Sequence, residues 1–184
     1  MHDLAPLTAL GTTRPRQDTI GPLTISEAPD WALASVAARL EQERACADAL
    51  AGLLGGPAPG IAQHVQGAEL GAFWIGPHIW LIEAPYTPDL AQRVKSACGG
   101  SASVTDQTDA WVRFDLTGGG IVAVMERLSN LDIAQMQPAQ ARRTVIEHLG
   151  CYVIRHADSL TIYGPRASAQ SLHHALVTAA KSAL

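Results

Sequence analysis

The chain has 184 residues, enough for one domain of ordinary size or two small packed ones with a real core. Charged residues make up only 16%, against about 25% in a typical soluble domain, which fits either an alanine-rich surface or a surface lying against another protein. A net charge of −4 with scattered lysines and arginines excludes the basic footprint of a nucleic-acid binder and the charge run of a membrane-surface helix.

In chain order, "MHDLAPLTALGTTRPRQD" lacks a charged stretch followed by an apolar core, so it does not read as a signal peptide. It has no periodicity either, and residues 1–18 are expected to be extended or disordered. "LTISE" (23–27) is a candidate edge strand. "WALASVAARL" (31–40) is alanine-rich and helical by propensity. "QERACADALAGLLGG" reads as a helix stopped by Gly55-Gly56, and "GGPAPG" (55–60) as a loop. "GAFWIGPHIWLIEAP" (71–85) reads as strand, turn, strand. The helix "TPDLAQRVKSA" follows, with Thr87 as its N-cap and Pro88 at its first position.

"CGGSAS" (98–103) is the best boundary between two halves, and "ASVT" (102–105) a second candidate edge strand. "WVRFDLTG" (111–118) alternates, with Val112, Phe114 and Leu116 on one face and Arg113, Asp115 and Thr117 on the other. That is the pattern of a half-buried strand. "GGIVAVMERLSNL" reads as a helix, and "GCYVIRHADSLTIYGP" (150–165) as a second hairpin. "SAQSLHHALVTAA" closes the chain as a helix with Ser168 as its N-cap. No apolar stretch approaches the ~18–20 residues of a membrane span.

These elements repeat. Trp31 and Trp111 lie 80 apart (111 − 31), as do Pro85 and Pro165 (165 − 85). The helices after the hairpins match as Leu90/Leu172, Val94/Leu176 and Ala97/Ala179, all offset by 82. By this analogy 31–40 is a strand, with Ala32, Ala34 and Val36 inward. The expected fold is α+β, made of two ferredoxin-like βαββα halves, 19–100 and 101–184, packed as one compact unit.

Candidate chemistry is sparse. Gly118-x-Gly120-x-x-Ala123, with Glu147 further on, satisfies a dinucleotide fingerprint. The chain beyond Glu147 is too short for the remaining parallel strands, and the matching turn of the first half has no glycines. Glycine turns of this kind also arise for steric reasons alone. None of the seven histidines forms an HExxH or i, i+4 pair. Leu172, Ala175, Leu176, Ala179 and Ala180 make the buried stripe of the last helix. That places His174 on the solvent side and leaves the His173-His174 pair without a ligand partner. Asp106 and Asp109 read as turn residues. Cys46, Cys98 and Cys151 form neither a disulfide framework nor a CxxC pair, which points to a reducing cytoplasm.

Three stretches carry a resemblance: "LASVAARLEQERACADALAGLLGGPAPG", "VTDQTDAWVRFDLTG" and "ARRTVIEHLGCYVIRHADSLTIYGPRASAQSLHHAL". In this order they resemble the gamma subunit of heterotetrameric sarcosine oxidase over roughly residues 20–182. The last stretch is the most specific: an Arg-Thr strand, a hydrophobic hairpin, and a small-residue turn into an amphipathic helix. The resemblance implies the folate-binding-domain-like fold of aminomethyltransferases and a non-catalytic subunit. Its complex oxidatively demethylates sarcosine to glycine, giving hydrogen peroxide and formaldehyde or methylene-tetrahydrofolate. It implies no cofactor on this chain. FAD, FMN, NAD and tetrahydrofolate belong to the alpha and beta subunits and zinc to delta, with alpha the direct partner.

Two rival functions stand beside this one: a free-standing folate-dependent one-carbon carrier, for which Asp106 and Asp115 are faint candidate acids, and a homodimeric amino-acid-binding regulatory module. For contact with alpha, the expected residues are Arg143, Arg155, Tyr163 and Arg166 on an exposed polar side of the second half. Arg166 has no cationic counterpart at Tyr86, its equivalent in the repeat.

Overall fold

The computed structural model describes residues 6–184. Strands β1 (Gln17–Ile20) and β2 (Leu23–Glu27) lead into β3 (Trp31–Ala38), helix α1 (Glu43–Leu54), β4 (His64–Gln66), β5 (Gly71–Gly76) and β6 (Ile79–Pro85). Helix α2 (Leu90–Cys98) and β7 (Ala102–Asp106) follow. The chain continues as β8 (Trp111–Gly118), α3 (Ile121–Met125), β9 (Gln140–Ile146), β10 (Leu149–Arg155), β11 (Ser159–Pro165) and α4 (Ala169–Ala183). The chain divides into two compact units. One comprises residues 30–109 with 139–142; the other comprises 110–138 and 143–184 with the described residues before 30.

In the first of these units the sheet order is β4-β5-β6-β3-β7, antiparallel throughout. The alanine-rich stretch is a strand, as the repeat required. Ala32, Ala34 and Val36 are fully buried against Leu50 and Leu54 of α1 and Leu90 and Val94 of α2. Hydrogen-bonded pairing with β6 on one side and β7 on the other outweighs the modest helix preference of alanine. Gly55 ends α1 in the left-handed conformation, where its N–H returns to the Ala51 carbonyl.

The other unit has the order β1-β2-β8-β11-β10-β9, antiparallel from β1 to β10. Phe114 and Leu116 of β8, Leu160 and Ile162 of β11 and Val153 of β10 form one apolar face. Leu172, Leu176 and Ala180 of α4 close over it. The expected stripe of α4 is buried, joined by Ala169 and His173.

Several expectations change. The boundary does not fall at 100/101: residues 101–109 lie with the first half, and 19–29 with the second. The cause is strand pairing. β7 returns beside β3, while β8 takes its second neighbour, β2, from the N-terminal segment. "LTISE" is therefore interior, with β1 outside it.

The N-terminal segment is not loose where it is described, although residues 1–5 lie outside the described residues. Leu10 is buried, and the Glu27 carboxylate accepts the N–H groups of Leu10 at 3.0 Å and Arg16 at 3.1 Å. Helix α3 covers five residues instead of the longer run expected. Ser129 Oγ accepts the Leu131 N–H and bonds Thr144 Oγ1 at 2.7 Å, offering the backbone an alternative to helical continuation. Helix α2 begins two residues after Pro88 with Asp89 in the cap position, and Ser168 makes no side-chain cap bond at α4.

Candidate functional site

The side of the β8–β11 ladder away from α4 is polar by alternation. Trp111, Arg113 and Asp115 share one face of β8, and the register sets Tyr163 opposite Arg113 and Thr161 opposite Asp115. The Arg113 guanidinium organises this face. Its Nε donates to Asp115 Oδ1 at 3.0 Å, its Nη1 to Tyr163 Oη at 3.1 Å and its Nη2 to Thr161 Oγ1 at 3.3 Å. The Thr161 hydroxyl donates to Asp115 Oδ1 at 2.6 Å and stands 3.0 Å from His156 Nε2. The guanidinium carbon is 5.6 Å from the Tyr163 ring centre.

A hydroxyl between an imidazole and a carboxylate would suit nucleophilic chemistry, but Thr161 is 2% exposed and cannot meet a substrate. Asp115 already has its charge matched by Arg113. The cluster is a polar network that ties β8 and β11 to each other and to His156 in the turn between β10 and β11. At its end the buried Trp111 Nε1 has no hydrogen-bond partner among the described residues, and its ring lies 5.3 Å from that of Tyr152. The other unit holds a buried pair of its own, His64 Nε2 to Glu83 Oε1 at 2.7 Å. An open groove of about 870 Å³ runs along α4, lined by Arg127, Glu147, Ser171, His174 and Thr178.

The four expected interface residues do not form one exposed surface. Arg143 is exposed on β9 and Arg155 half-buried at the end of β10. Tyr163 is buried, because its position in the register turns it onto Arg113. Arg166 is half-buried, and its Nη2 donates to the Leu7 carbonyl at 3.2 Å.

His173 departs from its expected place off the stripe. It is 8% exposed and bonds Asp18 Oδ2 through Nε2 at 2.8 Å, while His174 stays outside. Asp106 Oδ1 accepts the Thr108 N–H at 2.9 Å, the local turn role expected of it. The Gly118–Gly120 turn is steric. Gly118 has φ +92°, and a Cβ there would lie 2.1 Å from the Pro22 carbonyl oxygen; one at Gly120 would strike Leu184. Among the described residues no group of three or more His, Cys, Asp or Glu stands together as a metal site, and no helix is long and apolar enough to cross a membrane.

Alternation in "WVRFDLTG" marked Arg113 and Asp115 as sharing a face. Thr161 and His156 joined them unannounced, because strand register is a long-range property.

No family model matches the chain, and no curated protein sequence matches it. Among solved structures it is similar to a chain of the heterotetrameric sarcosine oxidase from Corynebacterium sp. U-96, in complex with pyrrole 2-carboxylate. The TM-score is 0.76 at 18% identity, over 87% of this chain and 84% of that one. It is also similar to the glycine cleavage system aminomethyltransferase T from Bartonella henselae, with TM-score 0.59 at 15% identity over 84% of this chain. The chain spans about half the length of that aminomethyltransferase, 48%. The mixed α+β fold of this chain is thus similar to that oxidase chain and to the aminomethyltransferase, as the resemblance implied.

Proposed function

We propose that this chain is the gamma-type subunit of a cytoplasmic heterotetrameric sarcosine oxidase. It carries no catalytic group or cofactor of its own and supports the alpha subunit in demethylating sarcosine. FAD, FMN, NAD, tetrahydrofolate and zinc would belong to the alpha, beta and delta subunits. The observation that carries this reading is coverage: the match spans most of both chains in the oxidase, against half of the aminomethyltransferase.

The same reading includes the architecture as two ferredoxin-like halves. β3-α1-β5-β6-α2-β7, with β4 inserted before β5, would be one, and β8-α3-β10-β11-α4 with β2, with β9 inserted before β10, the other.

The isolated chain should be folded, without flavin absorbance or oxidase activity, and should copurify with co-expressed alpha and beta subunits. Failure to associate under those conditions would count against the reading. Tight tetrahydrofolate binding by the isolated chain in calorimetry would favour a one-carbon carrier instead.

A further inference from the structure

Among the described residues β9 is the longest strand at an edge of either sheet, with β10 as its one strand neighbour. On its outer side the Ala139 carbonyl accepts the His64 N–H at 2.9 Å, and the Ala141 N–H donates to the Ala62 carbonyl at 3.0 Å. Backbone groups alternate in direction along a strand, so the N–H and C=O of Arg143 and Val145 point to that same outer side. No described backbone group takes them up there.

The side chains around this open edge share a character. Arg142 and Arg143 are exposed and make no hydrogen bond or ion pair with a described residue, while Val145 is 57% exposed. No acidic residue occurs between Asp132 and Glu147, although the whole chain carries a net charge of −4. Arg142 and Arg143 thus set two adjacent cations on this edge of an acidic protein. A second copy is a poor occupant: self-pairing centred here sets Arg143 against Arg143, and like charges directly opposite destabilise a ladder.

We propose that the outer edge of β9 takes an extended acidic segment of a partner chain as an added strand. The main chain of Arg143 and Val145 would supply the ladder bonds. Arg142 and Arg143 point to opposite faces, so the incoming strand would carry a carboxylate on each face. It would also carry an apolar residue opposite Val145. The assignment rests on the subunit reading for the existence of a partner chain.

In a complex of the chain with co-expressed alpha and beta subunits, the amides of Arg143 and Val145 should exchange at least about tenfold more slowly than in the chain alone. The double substitution R142E/R143E and, separately, Val145→Pro should each weaken the complex by about tenfold or more. Both sites are exposed and proline is tolerated at strand edges, and circular dichroism verifies that each variant is folded.

A complex that forms equally with both variants, its amides unprotected, overturns the edge assignment and leaves the subunit reading intact. Should the wild-type chain form no complex, the subunit reading falls, and a fluorescein-labelled alternating Glu-Val octapeptide then judges the edge by anisotropy. Binding of this peptide but not its Lys-Val counterpart, lost in R142E/R143E, upholds the assignment. No binding up to about 1 mM, or equal binding of both peptides, overturns it.

Discussion

Trp111 stands opposite Pro165 across the β8–β11 ladder, and the next residue, Arg166, donates its N–H to the Ala110 carbonyl at 3.0 Å. The same geometry occurs 80 residues earlier. Trp31 stands opposite Pro85, and Tyr86 donates to the Asp30 carbonyl at 3.0 Å. Proline has no N–H to give the ladder, so each central hairpin ends at this point and the chain turns toward a helix.

Both prolines are expected to act chiefly by restricting the unfolded chain. P85A and P165A should each lower stability by about 0.5–1 kcal/mol, with similar size and an unchanged urea m-value. A loss of several kcal/mol at one site alone would break the equivalence.

Asp18 is held between Arg16 and His173. The Arg16 fork, chiefly, and then His173 keep its carboxyl below the usual carboxylate range, against the opposing effect of burial. A carboxyl with a lowered folded-state pKa adds stability above its unfolded value, near 3.9, and loses it as pH falls through the folded value. D18N should therefore cost about 1 kcal/mol at pH 7. Its deficit relative to wild type should shrink as pH falls below the usual carboxylate range and close as it passes through the lowered folded-state value. Thermal melts of both proteins across this range check it; a constant deficit would refute the electrostatic part.

His173 also marks where sequence patterning stops being informative. The apolar stripe of α4 could be read from helical spacing, and so could the β3 strand once Trp111 and Trp31 were aligned. The acid that recruits His173 inward lies 155 residues away in an N-terminal segment without periodicity. The same holds for the Arg113 cluster: period-two alternation identified the face, but the β11 register that delivers Thr161 is decided by the whole sheet. The misplaced boundary has a similar source, since strands with short apolar patterns do not announce which half they will pair with. For the candidate interface, composition pointed to arginines, and only burial separated Arg143 from the inward Tyr163.

The three thiols should be silent. Burial pushes those of Cys46 and Cys151 up to about 11 and raises that of Cys98, so thiolate is scarce at neutral pH. The native chain is expected to show no fast-reacting thiol toward a disulfide reagent at pH 8, and three after denaturation. A stoichiometric fast reaction in the native state would show that one of them opens to solvent.

The last prediction concerns Arg113, whose fork holds Asp115, Thr161 and Tyr163 at once. Lysine offers a point charge in place of three fixed donor directions, so R113K should retain the ion pair with Asp115 and lose the bonds to Tyr163 and Thr161. The expected cost is about 1–2 kcal/mol. R113A should cost more, about 2–3 kcal/mol, because it also leaves the Asp115 carboxylate without its cation. Asp115 is more exposed than Arg113, 28% against 11% by side chain, so water relieves part of that penalty. Denaturation of the two variants should rank them in this order, and the coupling of R113A with D115N in a double-mutant cycle should be at least about 1 kcal/mol. Additive effects would mean that the arginine supports the sheet by packing alone.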